Sequence, residues 1–211
     1  MPAKQSLKDK VKSLENRVTC TSSDCKNNKH CFKPTRKMKA ANQFGQCREC
    51  DVELIDWSRV HKRCIDDATY TFEALKKELF RYHMWLVEIS QKAINYALKK
   101  GKIGIRDAAE KQIRRLVGPA EPYKDGTQTY REDRADANAI HYAQHATASC
   151  CRKCIEYWHN IPQGRDLTKD EIAYLAGLVS LYIEERLPQL TDQAQKVPRI
   201  PRQPPENSST E

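Results

Sequence analysis

The sequence predicts a mainly α-helical protein with a small cysteine-rich module ahead of the helices. Apolar residues recur at helical spacing in the stretches after residue 65, and capping and stop signals bracket those stretches. Between residues 19 and 64 the character changes to cysteine pairs among polar and basic residues, too poor in apolar side chains to fold alone. At 211 residues the chain suffices for one large domain, or one domain with an appended module.

Residues 1–18 carry Leu7, Val11, Leu14 and Val18 at helical spacing among lysines, which predicts an amphipathic arm that must dock to be stable. Residues 19–64 hold Cys20, Cys25, Cys31 and then Gly45-Gln46-Cys47-Arg48-Glu49-Cys50, followed by alternating Val52, Leu54 and Ile55. A Cys-x2-Cys after a glycine and before a short strand reads as the knuckle of a zinc ribbon, which a second thiolate pair closes into a tetrahedral site. Cys20, Cys25, Cys47 and Cys50 are the expected zinc ligands, with Cys31 the alternative for either member of the first pair.

A helical domain is expected over 65–190. Phe72, Leu75, Leu79, Leu86 and Ile89 line a first helix beginning near Asp66; Ser90 caps a second that stops at Lys99-Lys100-Gly101; a third, basic helix runs over about 103–117 and closes at Gly118-Pro119. The polar stretch 121–134, with its Asp125-Gly126 turn, is a loop of the kind that is functional or disordered in a compact domain. A helix rich in His and Cys should then run to about His159. Thr168-Lys169-Asp170-Glu171 is a capping box opening a last helix striped with Ile172, Leu175, Leu178, Val179 and Tyr182. Residues 191–211, with Pro198, Pro201, Pro204 and Pro205, have the composition of a disordered tail.

The net charge of +9 points to a polyanion. The surplus concentrates at Lys99, Lys100, Lys102, Arg106, Lys111, Arg114 and Arg115 against Asp107 and Glu110, and DNA is the expected partner; a merely solvated helix face accounts for that stretch taken alone equally well. No signal peptide or membrane span is visible, so a cytoplasmic protein is expected. Its nine cysteines should stay reduced there and read as metal sites before disulfides. No obligate protein partner is implied.

The run from His141 to His159 packs two further features into nineteen residues: His141 and His145 at i,i+4, and Cys150, Cys151 and Cys154 ahead of Trp158-His159. On a helix each set shares a face, which is metal-ligand or active-site spacing. The competing reading is a close-packed helix whose cysteines act as small apolar groups. Cys151, Cys154 and His159 form a weaker second ligand set that lacks an obvious fourth member.

The segment Gln144-His145-Ala146-Thr147, Cys150-Cys151-Arg152-Lys153-Cys154 and Trp158-His159-Asn160-Ile161-Pro162-Gln163-Gly164 resembles a family of small bacterial proteins catalogued as a domain of unknown function. The likeness extends over roughly 80–185, taking in Phe80-Arg81 and the Asp125-Gly126-Thr127-Gln128-Thr129 loop. It departs where the family carries Gly-His-Pro, since this chain has Asp136-Ala137-Asn138-Ala139-Ile140-His141, so a role of that histidine falls to His141 or is absent. The cysteine module and Asp56-Trp57-Ser58-Arg59-Val60-His61 resemble a longer branch that is similar to base-excising DNA glycosylases of antiviral defence against phages with modified DNA.

That resemblance implies a hydrolase acting on N-glycosidic bonds, which needs a carboxylate, a group to receive leaving-group charge, walls for a flipped base and cations for phosphates. Asp125 is the candidate carboxylate, His145 or His141 the acid, Arg81 a phosphate or base clamp, Trp158 or Tyr123 a wall, and Gln128 and Gln144 the readers of base edges. Asp125 beside a glycine is equally a plain turn residue. Asp56 and His61 form a second candidate pair. Two other classes stay open: a non-catalytic zinc module that binds nucleic acid, and a metal-dependent hydrolase whose Cys151/Cys154 site keeps a position for water.

Overall fold

The computed structural model describes residues 18–126 and 138–197. Of the expected features, the arm up to residue 17, Gln128 and Thr129 lie outside the described residues. Those described are mainly helical: α1 Arg36–Ala40, α2 Trp57–Val60, α3 Ala68–Leu75, α4 Leu79–Leu86, α5 Gln91–Leu116, α6 Ala139–Ala146, α7 Arg152–His159 and α8 Lys169–Arg186. Among the described residues none forms a strand beyond two isolated bridges, so the short strand expected after Cys50 is an irregular stretch over 51–56.

Side-chain caps start most of the helices. Thr35, Asp56, Ser90 and Asn138 each accept a backbone N–H three residues on, and Thr168 with Glu171 completes the expected capping box of α8. Gly101 breaks α5 where the stop signal stands, at φ 66°. Residues 191–195, expected to begin the disordered tail, are laid into that break: the Lys102 N–H donates to the Thr191 carbonyl at 2.9 Å and the Gln195 N–H to the Leu98 carbonyl at 2.8 Å. A side chain at residue 101 would lie 2.5 Å from the Asp192 carbonyl oxygen, so glycine is required there.

Two breaks differ from expectation. The single helix expected from Asp66 is divided into α3 and α4 because His30 pairs into the gap, its N–H donating to the Lys77 carbonyl at 2.8 Å and its carbonyl accepting the Leu79 N–H at 2.9 Å. The single His/Cys helix is divided into α6 and α7 by a turn at 147–151 with Ala148 at φ 54°. Its freed groups are satisfied locally, the Ser149 N–H donating to the Gln144 carbonyl at 2.9 Å.

The helix α8 packs on both α5 and α6, and α6 also meets α4 and α5. Ala139, Ala143, Ala146 and Ala148 are fully buried, so small side chains let α6 sit close to its neighbours. The core does not stop at the edge of the cysteine module. Phe32 meets Trp158 edge-on at 6.0 Å and Trp57 lies 5.1 Å from the same indole. Among the described residues no helix is long and apolar enough to cross a membrane.

Candidate functional site

Cys25, His30, Cys47 and Cys50 each bring one ligand atom to within 4.8 Å of the others, an arrangement that could hold a metal ion. A tetrahedral ion with bonds of about 2.3 Å to sulfur and 2.0–2.1 Å to nitrogen sets S···S edges near 3.8 Å and S···N edges near 3.6 Å. Cys25 Sγ lies 3.7 Å from Cys47 Sγ, and His30 Nδ1 lies 3.4 Å from Cys50 Sγ. The His30 Nε2–H donates to Asn28 Oδ1 at 3.1 Å, which leaves the Nδ1 lone pair facing the sulfurs. Burial, helped by Lys29 and Lys77, lowers the His30 pKa and keeps the ring in the neutral, ligating form. Burial raises the Cys47 thiol, but backbone N–H groups of Cys31, Glu49 and Cys50 outweigh it and favour the thiolate.

The fourth member of this group is His30, not the expected Cys20. Cys20 lies outside it, with its Sγ 3.2 Å from the ammonium of Lys33. The turn of Asp24–Asn28, closed by the Lys29 N–H on the Asp24 carbonyl at 3.0 Å, carries His30 round to Cys25. The Cys25-x4-His30 spacing was the available signal.

A second group joins Cys150, Cys151 and Cys154, again within 4.8 Å. The expected His159 is elsewhere: its Nε2–H donates to the Thr147 carbonyl at 2.9 Å, and its Nδ1 accepts from the Tyr174 hydroxyl at 3.3 Å. Beneath the cysteines lies an ion pair that sequence reading missed, the fully buried Glu78 and Arg81 with 3.1 Å between Nε and Oε2. Glu78 also accepts from Tyr157 at 2.9 Å and from Trp158 Nε1 at 2.8 Å. Burial pushes its carboxyl up, yet three donors and no acceptor surround it, the environment of a carboxylate.

Arg81 therefore faces inward. Its guanidinium donates to the His145 carbonyl, to Cys154 Sγ at 3.1 Å and to the Tyr157 hydroxyl at 3.2 Å, and does not reach out as a phosphate clamp. Asp125 accepts the Arg152 N–H at 2.9 Å and so serves the start of α7. His145 is buried, its Nδ1–H donating to the His141 carbonyl at 2.9 Å, with the His141 ring 4.5 Å away. Gln144 is buried between Gln112 and the Ser149 carbonyl. Trp158 is buried with them, whereas Tyr123 is 86 % exposed. Those of the expected catalytic and base-reading residues that are described, Gln128 not among them, thus stand in the core and at its edges rather than around one cleft. Asp56 caps α2, and His61 stacks 5.5 Å from Trp57.

Most of the expected basic residues are exposed. Along α5, Ile105, Ala109 and Ile113 turn into the core while Lys99, Arg106, Lys111 and Arg115 are exposed and make no ion pair among the described residues. Lys100 and Lys102 are half-buried, Lys102 pairing with Glu184 at 3.2 Å, and Arg114 pairs with Glu110. At the C-terminal end of this row lies a cleft of about 420 Å³ lined by Arg114, Gly118, Pro119, Asp166, Leu167, Lys169 and Ile172.

Burial lowers the His159 imidazole to about 4, so it is neutral in the fold. The unfolded chain takes up that proton near pH 6.5, so the stabilisation is complete above 6.5 and fades as the pH falls towards 4, by up to about 3 kcal/mol. Urea melts at pH 7, 5 and 4 should show this loss in the wild type and a flatter profile in His159→Gln. Equal slopes in the two proteins would show that another group carries the dependence.

A family model described as Domain of unknown function (DUF4186) matches residues 69–184. No solved structure matches the chain.

Proposed function

The chain belongs to that DUF4186 family, and on this premise we propose that it is a zinc-stabilised helical protein that binds DNA through the outer face of α5. The observation that carries the reading is the sidedness of α5: apolar residues are buried on one side, and Lys99, Arg106, Lys111 and Arg115 are exposed and unpaired among the described residues on the other. From Lys102 to Arg115 the helix rises about 20 Å, roughly the length of six base pairs of duplex. Lysine and arginine at this spacing neutralise phosphates without reading sequence. The zinc identity rests on the donor set of three thiols and one imidazole and on edges that fit Zn–S and Zn–N bonds.

The test is the salt dependence of duplex binding. Between about 50 and 200 mM salt, log K should fall linearly, and each lost phosphate contact removes about 0.9 from the slope. Arg106→Glu, Lys111→Glu and Arg115→Glu together should therefore weaken binding and flatten the slope by about two to three units. An unchanged slope would return α5 to a merely solvated face.

Excision of a modified base, as in antiviral DNA glycosylases, is the second reading, and the cleft at the end of the basic row favours it. A flipped base needs a pocket beside the phosphate track, and this one is lined by Asp166, Arg114 and Lys169 together with the apolar Pro119, Leu167 and Ile172. Chromatography of modified DNA after incubation separates the readings. Free base supports the glycosylase, and binding without release leaves the non-catalytic one.

A further inference from the structure

We infer that Cys150, Cys151 and Cys154, together with Cys20, form a second four-thiolate site for a zinc-class divalent cation, which fastens the start of the cysteine module to the helical domain. Three sulfurs already lie within 4.8 Å of one another. The chain is bent to bring them there: Ala148 stands at φ 54°, Cys151 is extended at the N-cap of α7, and Cys154 follows one turn later. All nine cysteines are free thiols, and three converging sulfurs cannot all be paired as one disulfide.

Charge supplies the second argument. The Arg81 guanidinium donates to Cys154 Sγ at 3.1 Å and approaches Cys150 Sγ at 3.9 Å, and the Lys33 ammonium lies 3.2 Å from Cys20 Sγ. Four thiolates around a divalent cation leave two negative charges, and the cations facing them are Lys33 and Arg81, the latter shared with Glu78. Hydrogen-bond donors aimed at ligating sulfurs are the usual outer shell of such a site.

Cys20 is assigned as the fourth ligand because the Lys33 ammonium that contacts it at 3.2 Å also has Cys151 and Cys154 as electrostatic neighbours. Cys20 is half-exposed, while the buried Cys31 points its Sγ at the Cys20 carbonyl 3.5 Å away.

Metal analysis of the full chain purified with zinc should find two equivalents. Cobalt substitution should show charge-transfer absorption from seven thiolates, those of Cys25, Cys47 and Cys50 and the four named here. Cys151→Ser should lose one equivalent and keep the other; Cys20→Ala should reduce the thiolate absorption. A single equivalent in the wild type overturns the site, and unchanged absorption in Cys20→Ala overturns the role of Cys20. Should Cys151→Ser fail to fold, stepwise chelation of the wild type with thiol alkylation and mass spectrometry decides instead. Cys20, Cys150, Cys151 and Cys154 should lose protection together. Alkylation of Cys20 while the other three stay protected overturns the four-thiolate assignment.

Discussion

Cys47→Ser should cost the protein one metal equivalent and a large part of its stability, and His30→Ala should do the same. Cys47 is fully buried between Cys25 and the knuckle, and its carbonyl and N–H tie to Asp51 and Val52 at 2.9 Å each, so removing the ion undoes a folded loop rather than a surface ligand. Structural zinc is worth on the order of 10 kcal/mol in small modules, comparable with the 5–15 kcal/mol that hold a whole domain together. The loss should not stay within the module. His30 carries both the Nδ1 ligand atom and the backbone pair that fills the break between α3 and α4, and Phe32 and Trp57 pack on the indole of Trp158. Calorimetry should therefore show one cooperative transition lowered as a whole. An unchanged melting curve after chelation or in Cys47→Ser would overturn the structural-metal reading, and two separate transitions would show that module and helices fold independently.

Local signals in the sequence proved readable where they act locally. The Thr168–Glu171 box and the Ser90 cap stand where the sequence puts them, because each concerns groups within four residues of one another; the Gly101 stop stands too, although the chain that fills it is the distant 191–195. The Cys47-x2-Cys50 knuckle was legible for the same reason. What was not legible depends on distant chain. His30 enters the ligand group because a turn returns it to Cys25, and it also divides a stretch whose apolar periodicity reads as one helix. His145, the expected acid, stands among alanines, and such small side chains can leave a cleft open beside a catalytic group. In the fold the absence of bulk has the opposite consequence, since Ala143 and Ala146 let α6 close against its neighbours and bury the histidine. Asp125 likewise finds its partner, the Arg152 N–H, across 27 residues of sequence. Arg81 was read as a clamp because the family resemblance implied a cation for phosphate or base. Glu78 three residues earlier was the one hint of an inward-facing pair.

Arg81→Met should destabilise the protein by about 3–5 kcal/mol, the usual cost of leaving one member of a buried ion pair alone. The Glu78 carboxylate would keep two neutral donors, from Tyr157 and Trp158, and lose its only opposite charge in a site where both side chains are wholly buried. The substitution also removes the donors to the His145 carbonyl and Cys154, so α4 loses its ties to the ends of α6 and α7. Glu78→Gln combined with Arg81→Met should cost less than the sum of the single changes, because no uncompensated charge then remains. Urea denaturation of the four proteins measures this coupling directly, with unchanged m-values the condition for reading it as stability. The outcome also separates the two roles open to Arg81. As the inward half of an ion pair it governs folding and leaves the salt slope of DNA binding as it was. A stability loss below about 1 kcal/mol, accompanied by weaker binding, would instead make Arg81 the clamp that its sequence position suggested.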